Sequence, residues 1–475
     1  MRAESCPMED RFHELGRVES GNPVWLSERY LSEETMQTTR RTLIGTLAAG
    51  AVAAGLVCGA TLANAADALP YGLKPGKPYA GTKLTYLAPV AGQYEGHEAR
   101  LKEFTDLTGI EVEFEFIPFR NLLEKILAIK VAGDADPDLI NYKDDWGPGL
   151  KDLFVPIDEM MAEDKVTLDR YYPAHQLGVT YDGMIYGLPL RGHAQLMFYR
   201  KDLLEKHGLP VPKTWDELAE VAKAIKDKEG IGIGMYYSPK AAQNVAVWMN
   251  ILWSNGGELF RDGKVTFNSP EAVEALKYYV ALENDLQVNS EGAKSFEQYD
   301  GSLSMGAGQS AFFMGWWWHY GSRILGKNTT LTPEQVGFAP LPAFKGDKST
   351  TFAMSMPTAI NANSDKQGAA WEFLKWVSNP DLEKRNVIEK EKRNVIVALH
   401  KKNLMDEEVN AANQGLQMAA AGSLESSRIF PQLAVWPEVM QVLANAISDA
   451  VSNGADPKEA LDAAAEQAQR LVDRG

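Results

Sequence analysis

Cysteine is nearly missing from this chain: two in 475 residues, Cys6 and Cys58. Both precede the cleavage point argued below, so the processed protein is expected to carry none. That excludes disulfides, thiolate metal sites and a cysteine nucleophile. A His-Glu-x-x-His zinc motif, a Gly-x-Ser-x-Gly nucleophile turn and a phosphate-binding loop are missing too. So is any excess of positive charge. Forty-eight Lys and Arg stand against 64 Asp and Glu, for a formal net charge of -16. This balance argues against nucleic acid or an anionic membrane surface as a partner. Beyond the N-terminal segment no apolar run is long enough to span a bilayer. What is present is 45% hydrophobic and 24% charged residues, the balance of a globular protein. The length exceeds what one core organises, so two domains are expected.

The N-terminus reads as an address. Residues 1–35 are polar, with mixed charges and no clear periodicity. After Met36 come the basic stretch 37–41, an Ala/Gly-rich apolar run over 43–62, and Ala63-Asn64-Ala65. Basic, apolar and A-x-A segments in that order predict a secretory signal cleaved after Ala65, and hence a periplasmic protein. Arg40-Arg41 gives the segment a twin-arginine character, with the general secretory route as the alternative. Translation from Met1 and from Met36 are both open.

Residues 312–321, Phe-Phe-Met-Gly-Trp-Trp-Trp-His-Tyr-Gly, hold three consecutive Trp. Neighbours in a strand point to opposite faces, and three in a row on a helix cover most of its circumference. At least one indole is therefore expected to face away from the core, as part of a ligand-stacking wall. The alternative is two rings in the core and one at its rim.

Along the chain, 83–87 reads as a strand and 95–107 as a helix closed at Thr108-Gly109. Residues 110–117 form an alternating strand, 119–132 a helix and 138–142 a strand. The order β-α-β-α-β implies parallel pairing with helices on both faces. Ligands then sit beyond the carboxyl ends of the strands, which points to 89–94 and 142–146. Extended residues 185–190, interrupted at Arg191-Gly192-His193 and resumed at 196–200, predict a crossover between lobes; 351–360 predict a second. Thr214 with Glu217 makes a capping box, and Asp456-Pro457 opens the last helix.

Several segments in order carry a resemblance: Ala132-Gly133-Asp134-Ala135-Asp136-Pro137-Asp138-Leu139, Tyr186-Gly187-Leu188-Pro189, Tyr199-Arg200-Lys201-Asp202-Leu203-Leu204, Pro212-Lys213-Thr214-Trp215-Asp216-Glu217-Leu218, Pro340-Leu341-Pro342 and Ala369-Ala370-Trp371-Glu372-Phe373-Leu374. Over residues 82–473 the chain resembles extracellular solute-binding proteins of the carbohydrate ABC-importer type, the maltose-binding-protein-like class. The resemblance implies an α/β, two-lobed periplasmic-binding-protein fold of class II type. Each lobe is a mainly parallel sheet flanked by helices, and hinge crossovers join them. The expected division is 66–190 and 351–425 in the first lobe, and 191–350 and 426–475 in the second, after an N-terminal extension and signal over 1–65. The implied function is capture of a sugar or sugar alcohol in the cleft by a monomer that delivers it to a membrane permease. No catalysis, cofactor or metal is implied. One departure is Thr351-Phe352-Ala353-Met354, where relatives often carry Gly-Gly.

A sugar offers apolar C–H faces and a fringe of hydroxyls, so a site needs aromatic rings beside polar hydrogen-bonding groups. By resemblance, Trp317 and Trp436 are the stacking positions, and an acid at Asp144 or Asp145 binds hydroxyls while the other is solvated. From the residues themselves, Trp316 and Trp318, and then Trp248, are further stacking candidates, with packing in the core as their alternative. Tyr142 and Trp146 share the loop of the acids. Arg191 and His193 lie in the crossover, where hinge packing would also explain them. Gln93, Tyr94 and Glu95 begin the first helix, whose free N–H groups can bind ligand. Arg428 faces either the cleft or solvent. The competing functions are a glycoside-acting enzyme and the same fold holding a polyamine, an acidic or sulfonated sugar, or ferric iron. Iron would use adjacent tyrosines such as Tyr171-Tyr172, Tyr236-Tyr237 or Tyr278-Tyr279.

Overall fold

The computed structural model describes residues 69–346, 348–389 and 397–474. The signal, its cleavage point and both cysteines lie outside the described residues.

The first lobe is built on Lys83–Pro89 (β1), Glu111–Ile117 (β2) and Leu139–Asn141 (β3). β1 pairs parallel with both neighbours, Tyr86 facing Phe114 on one side and Leu139 on the other. Helix Phe119–Ala132 has the bounds its periodicity predicts. The helix expected over 95–107 is two, Gly92–Glu98 and Leu101–Thr108. Arg100 leaves helical geometry between them, and its Nε donates to Asn386 Oδ1 at 2.6 Å. Gly109 then closes the second helix at φ +72°, a left-handed conformation that a Cβ would strain.

The remaining strands of the main sheet are Leu188–Arg200 (β4), Gly232–Ile233 (β5), Ser310–Trp316 (β6), Val336–Ala339 (β7), Thr351–Ile360 (β8) and Ser427–Arg428 (β9). The order is β2-β1-β3-β8-β4-β6-β5, with β7 on β4 and β9 on β8. β4 and β8 are the two crossovers. They pair antiparallel from Thr358↔Leu188 to Ala353↔Ala194. At its first-lobe end β8 continues onto β3; at its second-lobe end β4 continues onto β6, from Gln195↔Trp316 to Tyr199↔Phe312. Parallel pairing holds within β2-β1-β3 and between β5 and β6, and the crossovers add the antiparallel pairs.

β4 is one unbroken strand, not two pieces separated by Arg191-Gly192-His193. Gly192 serves close approach here: a Cβ on it would lie 2.1 Å from Leu399 Cδ1 and 3.0 Å from His175 Nε2. The first lobe packs Tyr86, Phe104, Phe373 and Trp376 ring on ring, centroids 5.3–5.8 Å apart. Burying each such side chain contributes about 1.5–3 kcal/mol. In the second lobe Trp215 is buried as a packing residue behind the capping box of Thr214 and Glu217. Helices Trp436–Ser452 and Pro457–Val472 end the chain, the latter capped by Asp456 as predicted.

Candidate functional site

Strand alternation sorts the crossover residues into two faces. Arg191, His193 and Gln195 share one face of β4. Their partners across the ladder, Met356 and Met354 on β8 and Trp316 on β6, point to the same side. Gly192 turns to the opposite face, against His175 and Leu399.

An aromatic chain leads off the first face. The His193 and Trp316 rings meet at 5.8 Å, Trp316 and Phe352 at 5.0 Å, Phe352 and Phe430 at 4.0 Å, and Phe430 and Trp436 at 5.2 Å. Lys143, from the loop after β3, sits 4.9 Å above Phe430 and pairs with Asp145 Oδ2 at 2.8 Å. The crossover, the tryptophan run, the start of helix Trp436–Ser452 and the acidic loop therefore form one contiguous set.

Several polar atoms in and near that set are unmet. Asp145 Oδ1, His193 Nδ1, Gln195 Nε2, Trp248 Nε1 and Trp436 Nε1 are buried without a hydrogen-bond partner, as is the Tyr94 hydroxyl. Buried polar groups are nearly always paired, and each orphan costs about 1–3 kcal/mol. Burial drives the pKa of His193 well down, with the positive charge of Arg191 adding to it. The imidazole is thus neutral near pH 7, and one nitrogen can accept while the other donates. Burial also lowers the pKa of Arg191 and raises that of the Tyr94 phenol.

The two acids of the loop part company. Both are buried, so neither is the solvated partner expected. Asp144 is committed to the fold: the Ser355 N–H donates to its Oδ2 at 2.6 Å and the Asp145 N–H to its Oδ1 at 2.9 Å. Burial and the neighbouring Asp145 charge push its pKa up to about 7, against the pull of the Ser355 bond. Asp145 keeps one free oxygen.

The other sequence candidates scatter. Trp317 is fully buried, its backbone N–H donating to the Ala194 carbonyl at 3.1 Å. Trp318 is the least buried of the three, stacked on His319 at 4.0 Å and beside Tyr299 at 5.9 Å. Tyr142 faces inward, its ring 4.7 Å from Phe154 and its hydroxyl accepting from Tyr181 at 3.3 Å. Trp146 stacks on exposed Phe119 at 5.6 Å, apart from the aromatic chain. Trp248 is buried in helix Gln243–Ser254, two residues before Asn250, whose side chain donates to Gln195 Oε1 at 2.5 Å. Gln93 is buried and Glu95 half-buried in helix Gly92–Glu98. Arg428 is engaged elsewhere, paired through both Nη atoms with Glu258 and lying over Trp253.

Sequence reasoning missed Gln195, Lys143, Phe352 and Phe430 as members of the set. Gln195 was findable from the two-residue spacing after Arg191 and His193, and Phe352 from its place in the departing crossover segment. Nothing local marks Phe430. Among the described residues no cluster of His, Cys, Asp and Glu is arranged to hold a metal ion. Two of the tyrosine pairs are structural: Tyr236 and Tyr237 hydrogen-bond around Tyr279 in the second-lobe core, and Tyr278 donates to the Trp215 carbonyl at 2.6 Å. A hollow of about 690 Å³ bordered by Asp216, Lys277, Tyr278 and Phe344 contains none of the residues of the set.

Comparison with known proteins places this arrangement in context. The family described as bacterial extracellular solute-binding protein matches residues 81–384. A probable amino-acid ABC transporter periplasmic-binding protein of Sinorhizobium fredii is 27% identical over 356 residues, 73% of this chain and 79% of that one. The maltose-bound MalE3 of T. maritima superposes with a TM-score of 0.71 at 26% identity, over 82% of this chain and all of that one. An ABC transporter solute-binding protein of Agrobacterium radiobacter K84, in complex with ribitol, gives a TM-score of 0.68 at 25% identity, over 83% and 100%.

Proposed function

Because the chain belongs to the bacterial extracellular solute-binding proteins, we propose that it captures a sugar or sugar alcohol between its lobes and delivers it to the membrane permease of an ABC importer. It acts in the periplasm, as a binding protein that releases its ligand unchanged. The solved relatives holding maltose and ribitol support the ligand class.

The observation that carries the reading is the pairing of an aromatic wall with unmet polar atoms at the crossover. Trp316, Phe352, Phe430 and Trp436 supply flat apolar surface. Asp145 Oδ1, His193 Nδ1 and Gln195 Nε2 supply an acceptor, a donor-or-acceptor and a donor. A polyol meets all three at once, because each hydroxyl both gives and accepts a hydrogen bond.

A thermal-shift screen tests the proposal. A ligand present at 100 times its dissociation constant stabilises by about 2.7 kcal/mol. Monosaccharides, oligosaccharides, polyols and sugar acids form the panel, with amino acids as the comparison set. At least one polyhydroxylated compound is expected to raise the melting temperature and change Trp fluorescence, and Trp316→Ala to weaken its binding. A melt that moves with amino acids alone, or with no member of the panel, refutes the sugar reading.

A further inference from the structure

Arg191 is the anomaly of the crossover. Arg200, Arg385, Arg428 and Arg470 each pair with a carboxylate. Arg191 is half-buried in the middle of the long strand β4, yet among the described residues no carboxylate lies within 4.0 Å of it. Among the described residues its one polar side-chain contact is a weak one, Nη1 to Met356 Sδ at 3.8 Å.

The groups around it give no counter-charge. On its own face stand His193, Met354 and Met356, none of them anionic. The phenols of Tyr94 in the first lobe and Tyr299 in the second lie close enough for their charge state to act on it. The nearby acids are engaged elsewhere or apart. Asp144 is bonded to Ser355, Asp145 is paired with Lys143, and Glu95 makes no ion pair with Arg191. A half-buried guanidinium with no counter-ion is best answered by an anion, and a neutral sugar brings it no charge. A carboxylate supplies one through two parallel N–H···O bonds, the geometry to which the planar guanidinium is suited.

We infer that the ligand is a polyhydroxylated acid, an aldonate or uronate, with its carboxylate on Arg191 and its hydroxyls toward His193, Gln195 and Asp145. This rests on the sugar reading above and narrows it from a neutral compound to an anionic one.

Matched pairs test it on the full chain near neutral pH: D-glucuronate against D-glucose, D-galacturonate against D-galactose, and D-gluconate against D-glucitol. Binding is read by calorimetry and Trp fluorescence. In at least one pair the acid is expected to bind about tenfold or more tighter than its neutral partner. Arg191→Gln is expected to abolish that preference by weakening the acid alone, and Arg191→Lys to keep part of it. Neutral members binding tighter in every pair overturns the inference and leaves the sugar reading standing; so does an acid preference that survives Arg191→Gln. No binding by any of the six compounds overturns the inference and returns the sugar reading to the wider panel above. The ligand-free melt of Arg191→Gln is a separate check. A charge without a partner contributes no stability, so the melting temperature should not fall. A drop of about 5 °C or more places the charge in a structural contact and overturns the assignment.

Discussion

Two buried histidines make this protein acid-sensitive by an amount that can be worked out. His97 packs between Tyr94 and Trp376, each ring 6.5 Å away, and neither of its nitrogens has a hydrogen-bond partner. His175 lies beneath Gly192, equally deeply buried. Burial pushes the pKa of each from 6.5 down to about 4, although the Glu383 charge pulls both the other way; Arg100 adds to the fall at His97, and the His193 backbone opposes it at His175. The sign follows directly. Below pH 6.5 the unfolded chain takes up protons that the folded chain refuses, so stability is lost as the pH falls from 6.5 toward 4. One such histidine costs about 0.2 kcal/mol at pH 7 and about 2 kcal/mol at pH 5, a loss of about 2 kcal/mol over the interval.

Denaturant unfolding at pH 7, 6 and 5 measures this, with wild type and His97→Gln compared at each pH. The glutamine carries its own packing cost, but that cost does not titrate. Asp144 works in the opposite direction, since its raised pKa makes stability fall as the pH rises from about 4 to about 7. It is present in both proteins and cancels in the difference. The variant is expected to lose about 2 kcal/mol less than wild type between pH 7 and pH 5. Loss curves that run parallel, within about 0.5 kcal/mol, refute the burial argument for His97.

Two further substitutions probe the frame. Gly192→Ala places a methyl 2.1 Å from Leu399 Cδ1 and 3.0 Å from His175 Nε2 in a fully packed region, so it should cost about 1–3 kcal/mol in the same unfolding assay. An unchanged midpoint would mean that Leu399 swings clear. Thr214→Ala removes the side chain that accepts from the Glu217 N–H at 3.1 Å and should cost about 1 kcal/mol, with helix Trp215–Glu229 fraying first in hydrogen exchange.

What the chain disclosed in advance was what local chemistry decides. Thr214 with Glu217, Asp456 before Pro457, and Gly109 at a helix end are settled within a few residues, and each cap is where the sequence places it. The break at Arg100 was invisible, and the group its side chain bonds there, Asn386, lies 286 positions away. The two-lobed α/β fold was legible from the strand and helix order together with the family segments. The unbroken β4 was not, because Gly192 between two polar residues reads as an interruption until Leu399 and His175 are seen against it. The loop acids show the same limit. Nothing in Asp144-Asp145 says which carboxylate will meet Ser355, 211 positions later. Alternation assured that the tryptophans would diverge, but only the sheet decides that Trp316 joins the His193 face while Trp318 reaches the rim.

The crossover strands resolve why these outcomes belong together. A segment shared by two lobes must hold them in register and still leave groups for whatever enters between them. The period of two in a strand separates these demands residue by residue. On one face Gly192 admits Leu399 and His175, and Asp144 grips the Ser355 backbone, so that side is packed. On the other, Arg191, His193 and Gln195 stand beside Trp316 with a charge and two polar atoms unanswered. On the face that both lobes border, next to an aromatic wall and the free oxygen of Asp145, their cost is recovered only when a ligand with matching donors and acceptors arrives. A one-residue slip of β4 against β8 would exchange the two faces. The ladder from Thr358↔Leu188 to Ala353↔Ala194, which holds that register, is therefore as much a determinant of binding as any side chain in the cleft.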